Sequence, residues 1–398
     1  MKKYISGINN KKSDCTVTYS LNSKKIEIKL NSKLNVLYGK SIIKTAKKTL
    51  KNLGINKGTL KIDDYGALPF VIEARIEAAI KKAYKNISMS SLPPMQEHAK
   101  YKTTFDRLRR SRLYIPGNQT KLMLNAGIHK PDGIILDLED SIAPDEKDSA
   151  RLIVRNALRT LDFFGAERMV RINQGKIGFS DLEAIIPCNV HVVLVPKVET
   201  PDQIVEIDNF ITSMQKNTKT YIMPIIESAL GLMNALPIVN ASDKIVALTI
   251  GLEDYTADLG IERTSDDKES MFAKHIIVNA AKAKGVQAID TVFSDVKDMK
   301  ALAKSVKESK QIGFEGKGCI HPRQIKVIHD NLMPTMEEII KAQKIKIAFD
   351  KAQDMRLSVV NLGSKMIDPP VVKRSLKLIK FALNNNLINK NWKNNFNG

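Results

Sequence analysis

Eight short apolar runs, each followed by a segment long enough for a helix, fill the chain after residue 105 and limit its fold more than any other feature. The runs are Arg112–Ile115, Gly133–Leu138, Met169–Ile172, Val190–Val195, Tyr221–Ile226, Ile245–Ile250, Ala288–Phe293 and Gly318–Ile320. Strands that alternate with helices form parallel sheets, and eight repeats favour an α/β fold of the (β/α)8 TIM-barrel type. Two doubly wound sheets would produce the same periodicity, so the pattern alone leaves that alternative open.

The chain before residue 88 has a different pattern, which predicts a small α+β domain. Two alternating stretches, Cys15–Tyr19 and Ile26–Leu30, predict a β-hairpin. A helical pattern that ends at Gly54, a short strand near Thr59–Ile62 and a second helix follow. Residues 88–105 contain Ser-Ser-Leu-Pro-Pro and little periodicity, as is typical of a linker. The predicted domains are therefore residues 1–87, a linker over 88–105, and a barrel with a C-terminal extension over 106–398.

The net charge of +20 is concentrated near the start of the chain. Residues 1–110 hold 24 Lys and Arg against 8 Asp and Glu, whereas the remaining residues hold 39 against 35. A basic region can bind nucleic acid, a membrane surface or an acidic partner. Because these lysines are interspersed with apolar strand and helix patterns and lack an aromatic platform, we expect a solvated surface and no nucleic-acid binding.

Other function classes lack support in the sequence. No apolar run approaches the roughly 20 residues of a membrane span, and the first residues lack a signal-peptide core, so we expect a cytoplasmic protein without membrane contact. The three cysteines, Cys15, Cys188 and Cys319, are far apart and lack metal-ligand spacing, which argues against a disulfide framework and against zinc. A hydrolase with Cys319 as nucleophile and His321 as base is not expected, because nothing else in the sequence suggests acyl hydrolysis.

Two carboxylates, Glu227 and Asp254, each follow an apolar run that predicts a buried strand. The carboxyl ends of parallel barrel strands carry the active site, and two carboxylates on neighbouring strands can share one hard cation. The pair therefore predicts a Mg²⁺ site at the mouth of the barrel.

Polar residues also follow the first four predicted strands: Pro116 and Gly117, Asp137 and Glu139, Arg171, and Lys197. The turn at Pro116 can present backbone amides to a phosphate or carboxylate, and the acidic cluster favours function over a solvated loop. Arg171 can clamp a substrate carboxylate or pair with Asp137 or Glu139, and both uses stay open. Lys197 can bind a phosphate, bind another part of the substrate, or form an ion pair with Glu199. Asp368, by composition alone, is an ordinary turn residue.

The region after the linker resembles the citrate lyase beta chain and its relatives, the malyl-CoA and citramalyl-CoA lyases. Matching motifs include Arg110-Ser-Arg-Leu-Tyr-Ile-Pro-Gly117, Leu136-Asp-Leu-Glu-Asp-Ser141, Val170-Arg-Ile-Asn173, Ile226-Glu-Ser228, Gly251-Leu-Glu-Asp-Tyr255 and Lys365-Met-Ile-Asp368. The resemblance implies a homo-oligomer in which Glu227 and Asp254 ligate Mg²⁺ beside the substrate and Arg171 holds its carboxylate. It also implies that Asp368 reaches a neighbouring subunit's site as the catalytic acid or base.

The first 87 residues resemble the acyl carrier (gamma) chain of citrate lyase, through Gly7, Ser13-Asp14, Asp63-Asp-Tyr-Gly-Ala-Leu68 and Glu73-Ala-Arg75. In that family a serine just before the Asp carries a phosphoribosyl-dephospho-coenzyme-A arm that holds acyl groups as thioesters. Lys12 occupies the matching position here, which leaves Ser13 as a displaced candidate for the attachment. An ordinary turn serine is the alternative.

Three functions follow from these resemblances. The first is a fused gamma–beta citrate lyase that cleaves citryl thioester into oxaloacetate and acetyl thioester, served by an alpha chain that acts as acyl transferase. The second is a lyase for free malyl-CoA or citramalyl-CoA whose first domain carries nothing. The third is a non-catalytic assembly subunit, which would have to explain why Arg171, Glu227, Asp254 and Asp368 are all present.

Overall fold

The computed structural model describes residues 2–214, 219–264, 267–354, 360–362 and 365–393. The chain divides into two compact units, residues 1–329 and 330–398. The first unit contains both the N-terminal domain and the barrel. Because these two form one unit, domain boundaries at residues 87 and 105 remain a prediction.

The N-terminal domain is a four-stranded sheet covered by two helices. Its elements are β1 (Lys3–Ser6), β2 (Cys15–Ser20), β3 (Ile26–Ser32), α1 (Asn35–Asn52), β4 (Gly58–Asp64) and α2 (Pro69–Ala83). The strand order is β1-β2-β4-β3. The predicted hairpin is wrong, because β4 lies between β2 and β3 and pairs with β3 in parallel through the crossover helix α1. Alternation in the sequence indicates a strand but does not identify its neighbour.

The barrel prediction is confirmed, with eight parallel strands closed into a ring. The strands are β5 (Ser111–Pro116), β6 (Gly133–Asp137), β7 (Glu167–Arg171), β8 (Val192–Val195), β9 (Tyr221–Ile226), β10 (Ala247–Ile250), β11 (Gln287–Asp290) and β12 (Gly316–Cys319). The helices are α3 (Thr120–Leu124), α4 (Lys147–Thr160), α5 (Gly175–Ile185), α6 (Pro201–Met214), α7 (Ala229–Met233), α8 (Ala235–Asn240), α9 (Leu252–Asp258), α10 (Met271–Lys284), α11 (Met299–Ile312) and α12 (Arg323–Leu332).

The N-terminal domain is joined to the barrel by buried charges. Helix α2 is buried from Phe70 to Ile80, because one side covers the domain's own sheet and the other packs on α4. Arg75 holds Asp14 through two hydrogen bonds of 3.0 and 2.8 Å and also bonds Glu146 at 3.0 Å. The side chains of Arg75 and Asp14 have no exposed surface. The domain is therefore a fixed part of the first unit.

A second buried pair fixes the linker. Arg155 on α4 donates two hydrogen bonds to Glu77 on α2, and Glu77 also accepts from the amide of Ser91. Arg159 donates to the carbonyl of Pro93 at 2.6 Å. The linker segment has no strand and only one short 3-10 helix, Glu97–Ala99, yet these contacts order it along α4.

The second unit contains α13 (Met336–Asp354), β13 (Val360–Leu362), β14 (Lys365–Ile367) and α14 (Pro369–Asn384). The two strands pair antiparallel, and the two helices pack together. Ala342, Ile379 and Trp392 form a buried cluster in this unit. Asp368 caps α14, since its side chain accepts a hydrogen bond from the amide of Val371 at 3.1 Å.

None of the helices in the described ranges combines the length and apolar character that crossing a membrane requires.

His191, just before β8, predicts a pH-dependent loss of stability. Its ring is 2 % exposed, accepts from the amide of Arg168 and bonds the carbonyl of Tyr101. Burial lowers the pKa of His191 to about 3, whereas an unfolded histidine has a pKa of about 6.5. The unfolded chain therefore binds the extra proton first, and stability is lost as the pH falls from about 6.5 toward about 3, by at most about 1.4 kcal/mol per pH unit.

The measurement is the free energy of unfolding of the wild type and of His191→Gln at about pH 7 and about pH 5. The variant lacks this titration, so we expect the wild type's advantage at about pH 7 to shrink by on the order of 1–2 kcal/mol at about pH 5. The exposed His275→Gln serves as the control and should keep the wild-type pH dependence. An advantage that stays constant between the two pH values would contradict the prediction.

Candidate active site

A cavity of about 440 Å³ opens at the carboxyl ends of the barrel strands. Five of the residues predicted from the sequence line it together: Pro116, Asp137, Arg171, Glu227 and Asp254. The remaining lining residues are Tyr114, Leu122, Ser141, Ile225, Thr249, Ile250, Gly251, Leu252, Glu253, Thr291, Val292 and Ile320. The cavity therefore combines an acidic side, one arginine and an apolar wall.

Glu227 is the buried carboxylate of this cavity. It directly follows β9, is 6 % exposed, and accepts a hydrogen bond of 2.8 Å from the amide of Lys197. Burial raises the pKa of Glu227 to about 8, and the charge of Asp254 adds to the rise against the opposing Lys197 amide. Asp254 lies in the first turn of α9 with 44 % of its side chain exposed. The two carboxylates thus repel each other, one of them buried and the other partly exposed.

Gly251 makes room for Glu227. A Cβ atom at this glycine would lie 2.5 Å from Oε1 of Glu227 and 2.7 Å from its Cγ. Any side chain at the end of β10 would therefore displace the buried carboxylate.

Arg171 lies at the end of β7 and is held on three sides. Its guanidinium bonds both oxygens of Asp137, at 2.6 and 2.7 Å, and pairs with Glu139 at 2.9 Å. The guanidinium carbon lies 5.5 Å from the centre of the Tyr114 ring. Although burial opposes it, the Arg171 contact holds the pKa of Asp137 below its ordinary value. The predicted ion pairs with Asp137 and Glu139 both form, and they orient the arginine at the cavity wall.

Lys197 and Gly117 have structural contacts in the site. The Lys197 ammonium lies 2.9 Å from Glu139 and 4.0 Å from Asp254, so it links the two acidic groups. The amide of Gly117 donates to the carbonyl of Asp137 at 2.7 Å and is not free for a ligand. A Cβ at Gly117 would lie 2.7 Å from that same carbonyl, so the glycine lets the loop approach β6.

Two predicted residues, Ser13 and Asp368, belong to other parts of the chain than the barrel. Ser13 is half-buried with a backbone φ of +61°, and its amide donates to the carbonyl of Tyr65 at 3.0 Å. Lys12 beside it is exposed. Asp368 belongs to the second unit, where it caps α14. The roles predicted for these two residues remain predictions.

Four further residues complete the site and were missed in the sequence: Tyr114, Thr249, Gly251 and Thr291. Thr291 accepts a hydrogen bond from the amide of Leu252, which fixes the start of α9. Gly251 and Thr291 directly follow β10 and β11, so their position after a predicted strand was the available signal, whereas Tyr114 and Thr249 lie within β5 and β10. Tyr and Thr are common inside β-strands, so the sequence did not distinguish Tyr114 and Thr249 from ordinary strand residues.

The residues present fit a hard divalent cation. Within the described parts of the chain, no group of three or more His, Cys, Asp or Glu side chains gathers at one point. Two carboxylates alone suit Mg²⁺, which keeps several water or substrate oxygens as ligands. A dication between Glu227 and Asp254 would also counter the two effects that raise the pKa of Glu227, which are burial first and the charge of Asp254 second.

A closed parallel barrel with an acidic cavity and an oriented arginine at the carboxyl ends of its strands is the arrangement of a barrel enzyme's active site. Residues 110–322 match the HpcH/HpaI aldolase/citrate lyase family, and the chain belongs to this family of aldolases and lyases. Residues 2–83 match a second family, of acyl-carrier type, described as malonate decarboxylase delta subunit (MdcD).

Relatives and a solved structure agree with this assignment. The citrate lyase subunit beta of Leuconostoc mesenteroides is 38 % identical over 71 % of this chain and 96 % of its own length. The mitochondrial citramalyl-CoA lyase of Rattus norvegicus is 30 % identical over 79 % of this chain and 94 % of its own. The protein CitE of Mycobacterium tuberculosis, solved with magnesium, acetoacetate and coenzyme A, aligns over 69 % of this chain and 98 % of its own with a TM-score of 0.59 and 27 % identity.

Proposed function

We propose that the chain is a Mg²⁺-dependent lyase that cleaves the carbon–carbon bond of a 3-hydroxyacyl thioester, with citryl thioester giving oxaloacetate and an acetyl thioester. The observation that carries this proposal is the shared cavity of Glu227, Asp254 and Arg171. The names of the relatives, citrate lyase and citramalyl-CoA lyase, support the substrate class. Bound Mg²⁺ would supply a Lewis acid and a template for substrate oxygens.

The other residues of the site have separate proposed roles in binding the substrate and in positioning Glu227. Arg171 has five N–H donors, of which Asp137 and Glu139 use three, and Asp140 lies farther away at 3.6 Å. The guanidinium therefore keeps donors for a substrate carboxylate. The two acids already fix the position of the guanidinium. It can therefore orient that carboxylate without a further loss of side-chain entropy when the substrate binds. Lys197 and Gly251 keep Glu227 in place for the cation.

Asp368 is the proposed acid that protonates the acetyl carbon once the bond has broken. We expect Asp368→Asn to lose turnover while substrate binding survives, and Asp350→Asn, in the same unit, to stay near wild type. Mixed oligomers of Asp368→Asn with Arg171→Ala would recover activity if Asp368 acts in a neighbouring subunit. Near-normal turnover of Asp368→Asn would exclude it as the acid.

The thioester can be carried in two ways. In the first, the N-terminal domain bears the arm at Ser13 and an alpha chain loads it. In the second, the substrate is a free coenzyme A thioester. The second way is favoured by one observation: Ser13 occupies a left-handed backbone position, while the exposed side chain just before it is that of Lys12. A lysine cannot form the phosphodiester that attaches such an arm.

The test uses the purified full chain with citryl-CoA, malyl-CoA or citramalyl-CoA, with and without Mg²⁺. We expect citryl-CoA to yield oxaloacetate only when Mg²⁺ is present. Cleavage of none of the three thioesters would overturn the proposal. Intact-mass analysis of protein from native cells separates the two carriers, since an increment on Ser13 would establish the arm.

A further inference from the structure

The segment Lys11–Ser13 lies directly on the loop that joins β5 to α3. The ammonium of Lys11 donates to the carbonyl of Asn118 at 2.7 Å. The hydroxyl of Thr120 donates to the carbonyl of Ser13 at 2.6 Å. Lys12 stands between these two contacts, so its backbone is held against residues 118–120 of the barrel.

That loop forms part of the rim of the cavity. Pro116 precedes the two contact points and Leu122 follows them, and both line the cavity that contains Arg171 and Glu227. An extended lysine side chain at position 12 therefore starts from the rim of the active site.

The placement is rigid. Asp14, next to Ser13, is buried and bonds Arg75. Arg75 also bonds Glu146, just before α4, and Ser149, in α4. Moving Lys12 away from the rim would require separating these buried charges, which is costly without new partners. The N-terminal domain thus presents Lys12 to the barrel of its own chain.

Two exposed lysines without an ion pair in the described ranges lie near this rim. Lys12, between β1 and β2, and Lys121, in α3, are both exposed. In the described ranges neither has a carboxylate oxygen within 4.0 Å, whereas Lys197 inside the site has three acidic neighbours. Two free ammonium groups at a cavity mouth attract the phosphates of an elongated ligand.

We propose that Lys12 and Lys121 form a phosphate-binding rim for a free coenzyme A thioester whose acyl end occupies the barrel cavity. The N-terminal domain then acts as a fixed binding element and not as a covalent carrier. This inference rests on the proposed cleavage of thioesters and identifies which form of thioester the site takes. The phosphates of coenzyme A lie at the opposite end of the molecule from the thioester. With the thioester in the cavity, they would therefore lie at its rim.

The first experiment measures binding without turnover. Coenzyme A and pantetheine, which lacks the phosphates, are titrated by calorimetry into the full-length wild type, Lys12→Ala, Lys121→Ala and the double variant. We expect Lys12→Ala to weaken coenzyme A binding about tenfold, the double variant more, and pantetheine binding to stay unchanged. The control is Lys24→Ala, which changes an exposed lysine beyond the opposite end of β2 and should bind as wild type.

The second experiment compares turnover of citryl-CoA and citryl-pantetheine by the same proteins. We expect Lys12→Ala to raise KM for citryl-CoA alone, with kcat unchanged. Equal affinity of wild type and Lys12→Ala for coenzyme A would overturn the inference, as would an equal loss for pantetheine. If coenzyme A binding depends on Lys12 but no thioester is cleaved, the proposed function fails while the rim site stands.

Discussion

Glu227→Gln and Asp254→Asn should each lower Mg²⁺-dependent thioester cleavage by about a thousandfold or more, because a Lewis acid contributes several kcal/mol to such a step. Both changes keep the size of the side chain and remove the charge that holds the cation. Unfolding of Glu227→Gln should stay near that of the wild type, since the amide still accepts from Lys197 and no longer repels Asp254. The measurements are initial rates over a Mg²⁺ titration and thermal unfolding.

Gly251→Ala tests the same site without changing a charge. Its new methyl group would lie 2.5 Å from Oε1 of Glu227, so the carboxylate must move and the Mg²⁺ concentration for half-maximal rate should rise. Glu206→Gln, an exposed carboxylate on α6, is the control and should titrate as wild type. Glu227→Gln with ordinary turnover at ordinary Mg²⁺ would refute the metal site.

The barrel and its acidic cavity followed from local sequence signals. Strands such as β8, β9 and β10 are near-continuous apolar runs because both of their faces are buried, which makes parallel strands visible without knowledge of their partners. Glu227 and Arg171 were found because a charged residue at the end of such a run is costly unless it has a function or a partner. Arg171 has both features, a cavity position and two paired acids.

Contacts between distant segments could not be found in this way. The pairing of β3 with β4 depends on the crossover helix α1, and the alternation of Ile26–Leu30 is the same whichever strand lies beside it. Gly251 carries no side-chain signal, since its role is the space it leaves for Glu227. The rim position of Lys12 depends on how the N-terminal domain packs on α4, and no local pattern encodes that arrangement.

Asp14 illustrates how the two parts of the chain depend on each other. It lies two residues after Lys12, which occupies the position of a carrier's attachment site, and its carboxylate accepts hydrogen bonds from Arg75 and from the amide of Cys15. Arg75 carries the connection onward to Glu146 and Ser149 of the barrel region. One arginine therefore ties the loop that contains Lys12 to the start of α4.

Arg75→Met should lower the free energy of unfolding by about 3–5 kcal/mol, because it leaves the carboxylate of Asp14 buried without its charge partner. Denaturant unfolding of the full chain measures the loss. Lys100→Met is the matched control, since it breaks an exposed pair with Glu97 and should cost no more than about 1 kcal/mol. The double variant Arg75→Met with Asp14→Asn should recover part of the loss, because the buried charge is then gone. A single variant as stable as the Lys100→Met control would show that the buried pair does not hold the domain on the barrel, and the fixed position of Lys12 would lose its support.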